Sequence, residues 1–88
     1  MRIAILGNSG SGKSTLAQWL SHASGAALLD LDTVAWEPDQ VAVPRDPAAA
    51  RADVEAFCTT HACWVIEGCY ESLVEAALRY RPYLVLLN

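Results

Sequence analysis

The residues best suited to chemistry stand near the start of the chain, in Gly7–Thr15, "GNSGSGKST". Gly7, Gly12, Lys13 and Ser14 satisfy the Walker A spacing G-x-x-x-x-G-K-S. Gly and Ser at this density also make flexible spacers, but a spacer here would only join the domain to a short stub. The four specified positions match by chance in about one chain in several hundred of this length, given average residue usage. Glycine lets the backbone take positive φ and approach a ligand without a Cβ clash. The N–H groups of Asn8, Ser9, Gly10 and Ser11 can then converge as an anion nest, and a helix beginning at Lys13 adds its partial positive charge. Lys13, the one lysine of the chain, would reach the β- and γ-phosphates, and the Ser14 hydroxyl would ligate Mg²⁺. Thr15, one residue on, is placed for an α-phosphate. The chemistry is phosphate binding.

Acidic residues supply the next candidates. Asp30 and Asp32 lie two apart in "LLDLD", so on a strand both side chains leave by the same face. Glu67 follows "CWVI", an apolar run ending in an acid, the form of a Walker B strand able to hold a metal-bound water. Each also has an ordinary reading, as a strand-end acid that faces solvent or begins a turn. Arg45 is either a bidentate clamp for phosphate or carboxylate or a solvated loop arginine. Trp36 either lines an acceptor pocket or caps the core. Cys58, His61, Cys63 and Cys69 lack the paired C-x₂-C spacing of a zinc site and read as small buried hydrophobes. His22, near the end of the first helix, needs only the helix dipole to explain it.

Positioning these groups falls to a regular alternation of elements. Arg2–Leu6 is a β-rich apolar run bounded by Gly7, and reads as a buried strand. The helix from Lys13 to Ser24 has Leu16, Leu20 and Ala23 along one face, and Gly25 follows as its C′ residue. A second strand spans 26–32. From Thr33 to Pro47 the signals are turns, with Pro38, Pro44 and Pro47 as punctuation. Asp46-Pro47 then opens a helix with Ala50, Val54 and Phe57 on its apolar side. A third strand over 63–68, a helix over 71–81 stopped by Pro82, and a strand over 83–88 complete the order βαβαβαβ. Strands alternating with helices imply a parallel sheet covered by helices.

Composition bounds the rest. The 88 residues form one domain, 1–88, with 53% hydrophobic and 18% charged residues and a mean hydropathy of +0.22. This apolar balance suits buried parallel strands, or surfaces meant to be covered. A net charge of −4 and a pI near 4.9 argue against a general nucleic-acid or acidic-membrane binder. Three cysteines, with no signal-like segment, fit a reducing cytoplasm. No apolar run approaches the length of a membrane span.

The strand, phosphate loop and helix at the N-terminus, the acids after the second strand, and "WVIEGCY" resemble the adenylate-kinase-like small-molecule and nucleotide kinases. "LLDLDTVAW", then "PR", then "ACWVIEGCY" are most similar to the adenylate kinase-related proteins often labelled DNA topology modulation proteins. The resemblance covers the whole chain and is most specific in Gly7–Thr15. It implies a three-layer α/β/α P-loop NTPase fold with strand order 2-3-1-4, and ATP and Mg²⁺ as cofactors. The implied reaction is transfer of the γ-phosphoryl group to a small-molecule or nucleotide acceptor. Lys13, Asp32 and Arg45 become its catalytic candidates, and Ser14, Asp30, Asp32 and Glu67 its metal candidates. In shikimate-kinase-like relatives a D-x-D at this place lies near Mg²⁺ and the acceptor hydroxyl, so Asp32 would orient or deprotonate the acceptor with Asp30 in support. Nucleotide kinases usually have Asp-Gly where this chain has Glu67-Gly68. Adenylate kinase continues with an arginine where Cys69-Tyr70-Glu71 stands, which counts against AMP as acceptor.

Members of that family continue into a second half bearing a lid, an adenine-binding loop and a fifth strand. The chain therefore reads as a truncated form, with an apolar patch over the first helix's face and an unpaired edge at 83–87. A homo-oligomer, or a partner supplying the rest, follows from that reading. The alternatives to a kinase are a non-catalytic nucleotide-binding module and a kinase fragment acting through a partner. A GTPase is disfavoured, since no D-x-x-G occurs and nothing follows the terminal "LVLLN".

Overall fold

Four apolar runs pair into one sheet. The computed structural model describes residues 1–87; Asn88, expected to end the last strand, lies outside the described residues. The strands are β1 (Arg2–Gly7), β2 (Ala27–Asp30), β3 (Trp64–Gly68) and β4 (Tyr83–Leu87). The helices are α1 (Lys13–Ser24), α2 (Asp32–Ala35), α3 (Pro47–Thr60) and α4 (Glu71–Leu78). All pairings are parallel and the sheet order is β2-β3-β1-β4, as the resemblance implied.

Side chains alternate across the sheet, and this sorts the core into two layers. Ile3, Ile5 and Val65 meet Ala17 and Ala26 on the α1 side. Ala4, Trp64 and Ile66 meet the buried side chains of α3 and α4 on the other, among them Val54, Cys58, Leu73 and Val74. The two-sided placement agrees with right-handed crossovers. Arg51 donates to the Ser72 carbonyl and Arg79 pairs with Glu55, which ties α3 to α4.

Several expectations require correction. Residues 33–47 are not wholly irregular, because α2 forms at once after β2. The buried face of α1 centres on Ala17, with Leu16 and Leu20 half-buried beside it, while Ala23 is exposed. The alanine directly over the sheet, and not the wider 16/20/23 stripe, makes the closest packing. Helix α4 ends at Leu78, not at Arg81. Tyr80 and Arg81 turn back to the carbonyls of Ala77 and Leu78, and Arg81, which precedes a proline, takes φ 56. Cys58 is buried as expected, but Cys63 and Cys69 are exposed.

Apolar exposure falls on the unpaired edge at 83–87, as expected. It does not stay on the α1 face but runs over both faces of β4. Tyr83, on the α1 side, is 77% exposed, and Leu86, on the α3/α4 side, is 66% exposed. Trp19 on α1 and Leu28 at the β2 edge add to it.

Candidate functional site

The Gly7–Gly12 loop joins β1 to α1 and has the shape its sequence demands. Gly12 is the residue before the helix, with φ 87, and Gly10 has φ 81. No side chain caps α1, and its first turn carries no acid. The leading N–H groups of a helix have no partner within it, and here they border a cavity of about 310 Å³ lined by Gly10, Gly12, Lys13, Ser14 and Thr15. Asn8 and Ser9 are exposed at the loop's outer turn, which is closed by Ser11 N–H donating to the Asn8 carbonyl at 3.1 Å. The Lys13 ammonium lies over the loop and donates to the same carbonyl at 3.3 Å. Gly7 has no room for a side chain: a Cβ there would meet Ser11 Oγ at 2.7 Å and the Leu87 carbonyl oxygen at 2.9 Å.

Glu67 reaches this loop by strand alternation. It follows Val65 on the α1 face of β3, one residue before the strand ends. Its carboxylate therefore lies beneath the start of α1, where Ser14 Oγ donates to Oε2 at 3.2 Å. The residue is only 4% exposed. Burial pushes its carboxyl above the usual range, and the neighbouring Asp30 pushes it the same way; Ser14 and Lys13 oppose both. Asp30 is the register partner of Glu67 across β2 and β3.

Asp32 does not share a strand face with Asp30. Leu31 still donates to the Glu67 carbonyl, but Asp30 Oδ1 then accepts the Asp32 N–H at 2.9 Å and turns the chain into α2. This is an Asx turn, the alternative that a strand-end aspartate always offers. The turn points Asp32 at α4, where Tyr70 donates its phenol proton to Oδ1 at 2.5 Å. Trp36, at the far end of α2, donates its indole N–H to the Tyr70 oxygen at 2.9 Å. The expected metal set is thus divided: Ser14 and Glu67 touch, Asp30 adjoins them, and Asp32 turns to Tyr70. Among the described residues no three His, Cys, Asp or Glu gather closely enough to cage a metal. A hydroxyl and one carboxylate still suit Mg²⁺, which is commonly held by one or two carboxylates plus phosphate oxygens.

Arg45 lies farther out, after a loop closed by Glu37 N–H to the Val43 carbonyl and Arg45 N–H to the Ala35 carbonyl. Its Nη1 donates to the Val34 carbonyl at 3.0 Å and to Asp53 at 2.6 Å. It borders a second cavity, of about 180 Å³, together with Trp36, Pro44, Pro47 and Tyr70. Trp36 therefore lines a pocket and does not cap the core. Tyr70 is the site residue that sequence reading passed over. It stands where a helix usually begins with Ser, Thr, Asp or Asn, and an aromatic there is the available signal.

No family model matches the sequence, and no curated protein matches it. Solved structures do. The chain is similar to a gluconokinase from Sinorhizobium meliloti 1021, with a TM-score of 0.61 and 20% identity over 97% of this chain. It is also similar to a sugar kinase from Janibacter sp. HTCC2649 in unliganded form, with a TM-score of 0.63 and 15% identity over 99% of this chain. It spans 54% of the first protein's length and 59% of the second's. The chain shares its fold with these two kinases over that span. No helix among the described residues is long and apolar enough to cross a membrane.

Proposed function

We propose that this chain is an ATP-binding phosphotransferase domain of the adenylate-kinase-like class, passing the γ-phosphoryl group of Mg-ATP to a hydroxylated small molecule or a nucleotide. The uncapped start of α1, with Lys13 over the loop and Ser14 bonded to buried Glu67, carries the reading. Backbone N–H groups of the 7–15 loop and Lys13 hold the phosphates, and Ser14 and Glu67 hold Mg²⁺. The metal's chemistry is neutralisation of charge on the transferring phosphoryl group. Asp32 receives the acceptor hydroxyl. Arg45, anchored through Nη1, keeps its other nitrogens for an anionic group on the acceptor. The names of the two similar kinases favour a sugar or sugar acid as acceptor. The narrower relation to DNA topology modulation proteins is supported by the sequence motifs "LLDLDTVAW" and "ACWVIEGCY" alone.

The test is a thermal melt with Mg-ATP, Mg-ADP and AMP, for wild type and Lys13→Ala. Ligand at 100 times its Kd adds about 2.7 kcal/mol, worth about 10 °C or more in a domain of this size. A shift with ATP or ADP that Lys13→Ala abolishes supports the reading, and no shift in a cooperatively melting wild type refutes it. ADP release with gluconate, AMP or water as acceptor then tests transfer. The exposed β4 favours a second reading, a nucleotide-binding module that works through a partner or a second copy. Nucleotide binding without ADP release from any acceptor would select it.

A further inference from the structure

The hydrogen bonds around Tyr70 have one possible direction. An indole N–H only donates, so the Tyr70 oxygen must accept from Trp36 at 2.9 Å. Its own proton is thereby directed to Asp32 Oδ1, at 2.5 Å. Tyr70 is also anchored: its carbonyl accepts the N–H groups of Leu73 and Val74, so it starts α4. The phenol consequently ties both ends of the four-residue helix α2, at Asp32 and at Trp36, to the first turn of α4. Asp32 Oδ2 has no partner among the described residues.

We propose that Tyr70, oriented by Trp36, is the positioning residue for Asp32, fixing the carboxylate through Oδ1 and leaving Oδ2 for the acceptor hydroxyl. This rests on the phosphotransferase reading above. In the transfer the acceptor oxygen bonds the γ-phosphorus, the bridging oxygen departs with ADP, and the hydroxyl proton passes to Oδ2 of Asp32. Held by a relay that ends in a donor, the carboxylate stays an acceptor and keeps its orientation. Without Tyr70 it is an exposed side chain at the first position of a very short helix.

Two measurements test this, and the first needs no nucleotide. The hydrogen bond to Asp32 pushes the Tyr70 phenol up to about 12, so absorbance at 295 nm should show one of the three tyrosines ionising late. Tyr70→Phe should remove that late component, and Asp32→Asn should bring it down. A late component unmoved by Asp32→Asn overturns the relay, whatever the protein binds. The second is ADP release from Mg-ATP with gluconate, AMP or water as acceptor. Tyr70→Phe and Trp36→Phe should lower kcat about 10- to 100-fold, with the affinity for Mg-ATP, read by thermal shift, unchanged. Tyr70→Phe with wild-type kcat beside an inactive Asp32→Asn overturns the positioning role. Loss of the Mg-ATP shift in wild type, or no ADP release from any acceptor, overturns the catalytic setting on which the proposal rests.

Discussion

Replacing Glu67 with glutamine is expected to stabilise the ligand-free protein at neutral pH while blunting its response to Mg-ATP. Glu67 is buried, its carboxylate has one neutral donor at 3.2 Å, and Asp30 lies beside it. A buried ionised group so poorly served costs roughly 1–3 kcal/mol, and glutamine keeps the Ser14 bond through its amide oxygen while dropping the charge. Each kcal/mol is worth about 4–8 °C in a domain of this size, so Glu67→Gln should melt about 5 °C or more above wild type at pH 7. The sign with pH follows from linkage. Burial raises the folded-state pKa above the unfolded value, so the favourable contribution of Glu67 is complete below the ordinary carboxylate range and is lost as pH rises through the folded value. The two melting temperatures should therefore converge toward pH ~4 and separate toward neutrality. Circular dichroism melts from pH 4 to 8 measure this. A variant that melts at or below wild type at pH 7, or a gap unchanged by pH, refutes the argument.

Three further outcomes are expected. Gly68→Ala places a Cβ 2.7 Å from Leu31 Cβ and 2.9 Å from its Cδ1, both in the core; the loss should be about 1–3 kcal/mol. Adding Leu31→Ala should not restore stability, because the Cβ clash remains, and paired melts check it. Iodoacetamide near neutral pH should label Cys63 and Cys69 while Cys58, its thiol buried and pushed up to about 11, reacts only on unfolding; mass spectrometry of native and denatured protein counts the labels. Sedimentation should reveal self-association at micromolar concentration, reversed by Leu86→Lys on the exposed edge strand. A monodisperse wild-type monomer would end that expectation.

The shape of the Gly7–Gly12 loop was legible because its motif specifies backbone geometry locally: Gly12 and Gly10 take the positive φ that their identity allows. Sheet order followed from the resemblance, and the face reached by Glu67 then follows from period-two alternation along β3. What escaped was decided by competition at element ends. Asp30 either continues a strand or captures an N–H two residues on, and the bond from Asp32 N–H to Asp30 Oδ1 shows that the turn wins. That choice created α2 and sent Asp32 toward Tyr70. The partnership of Trp36 and Tyr70 spans 34 residues, a separation at which local patterns are silent. The exposure of Ala23 was not legible, because helical periodicity gives a face but not how far the sheet extends beneath it.

The order β2-β3-β1-β4 also sets where the molecule opens first. Strands β1 and β3 are each paired on both sides; β1 leads into the Gly7–Gly12 loop and β3 carries Glu67 one residue before its end. Strand β4 has one neighbour and is exposed on both faces. Amide hydrogen exchange should follow that hierarchy, with β4 protected least among the strands and the middle of β3 most. The site is thus anchored in the last strands to let go, so the edge can fray, or accept an added strand, while Ser14 and Glu67 stay in register.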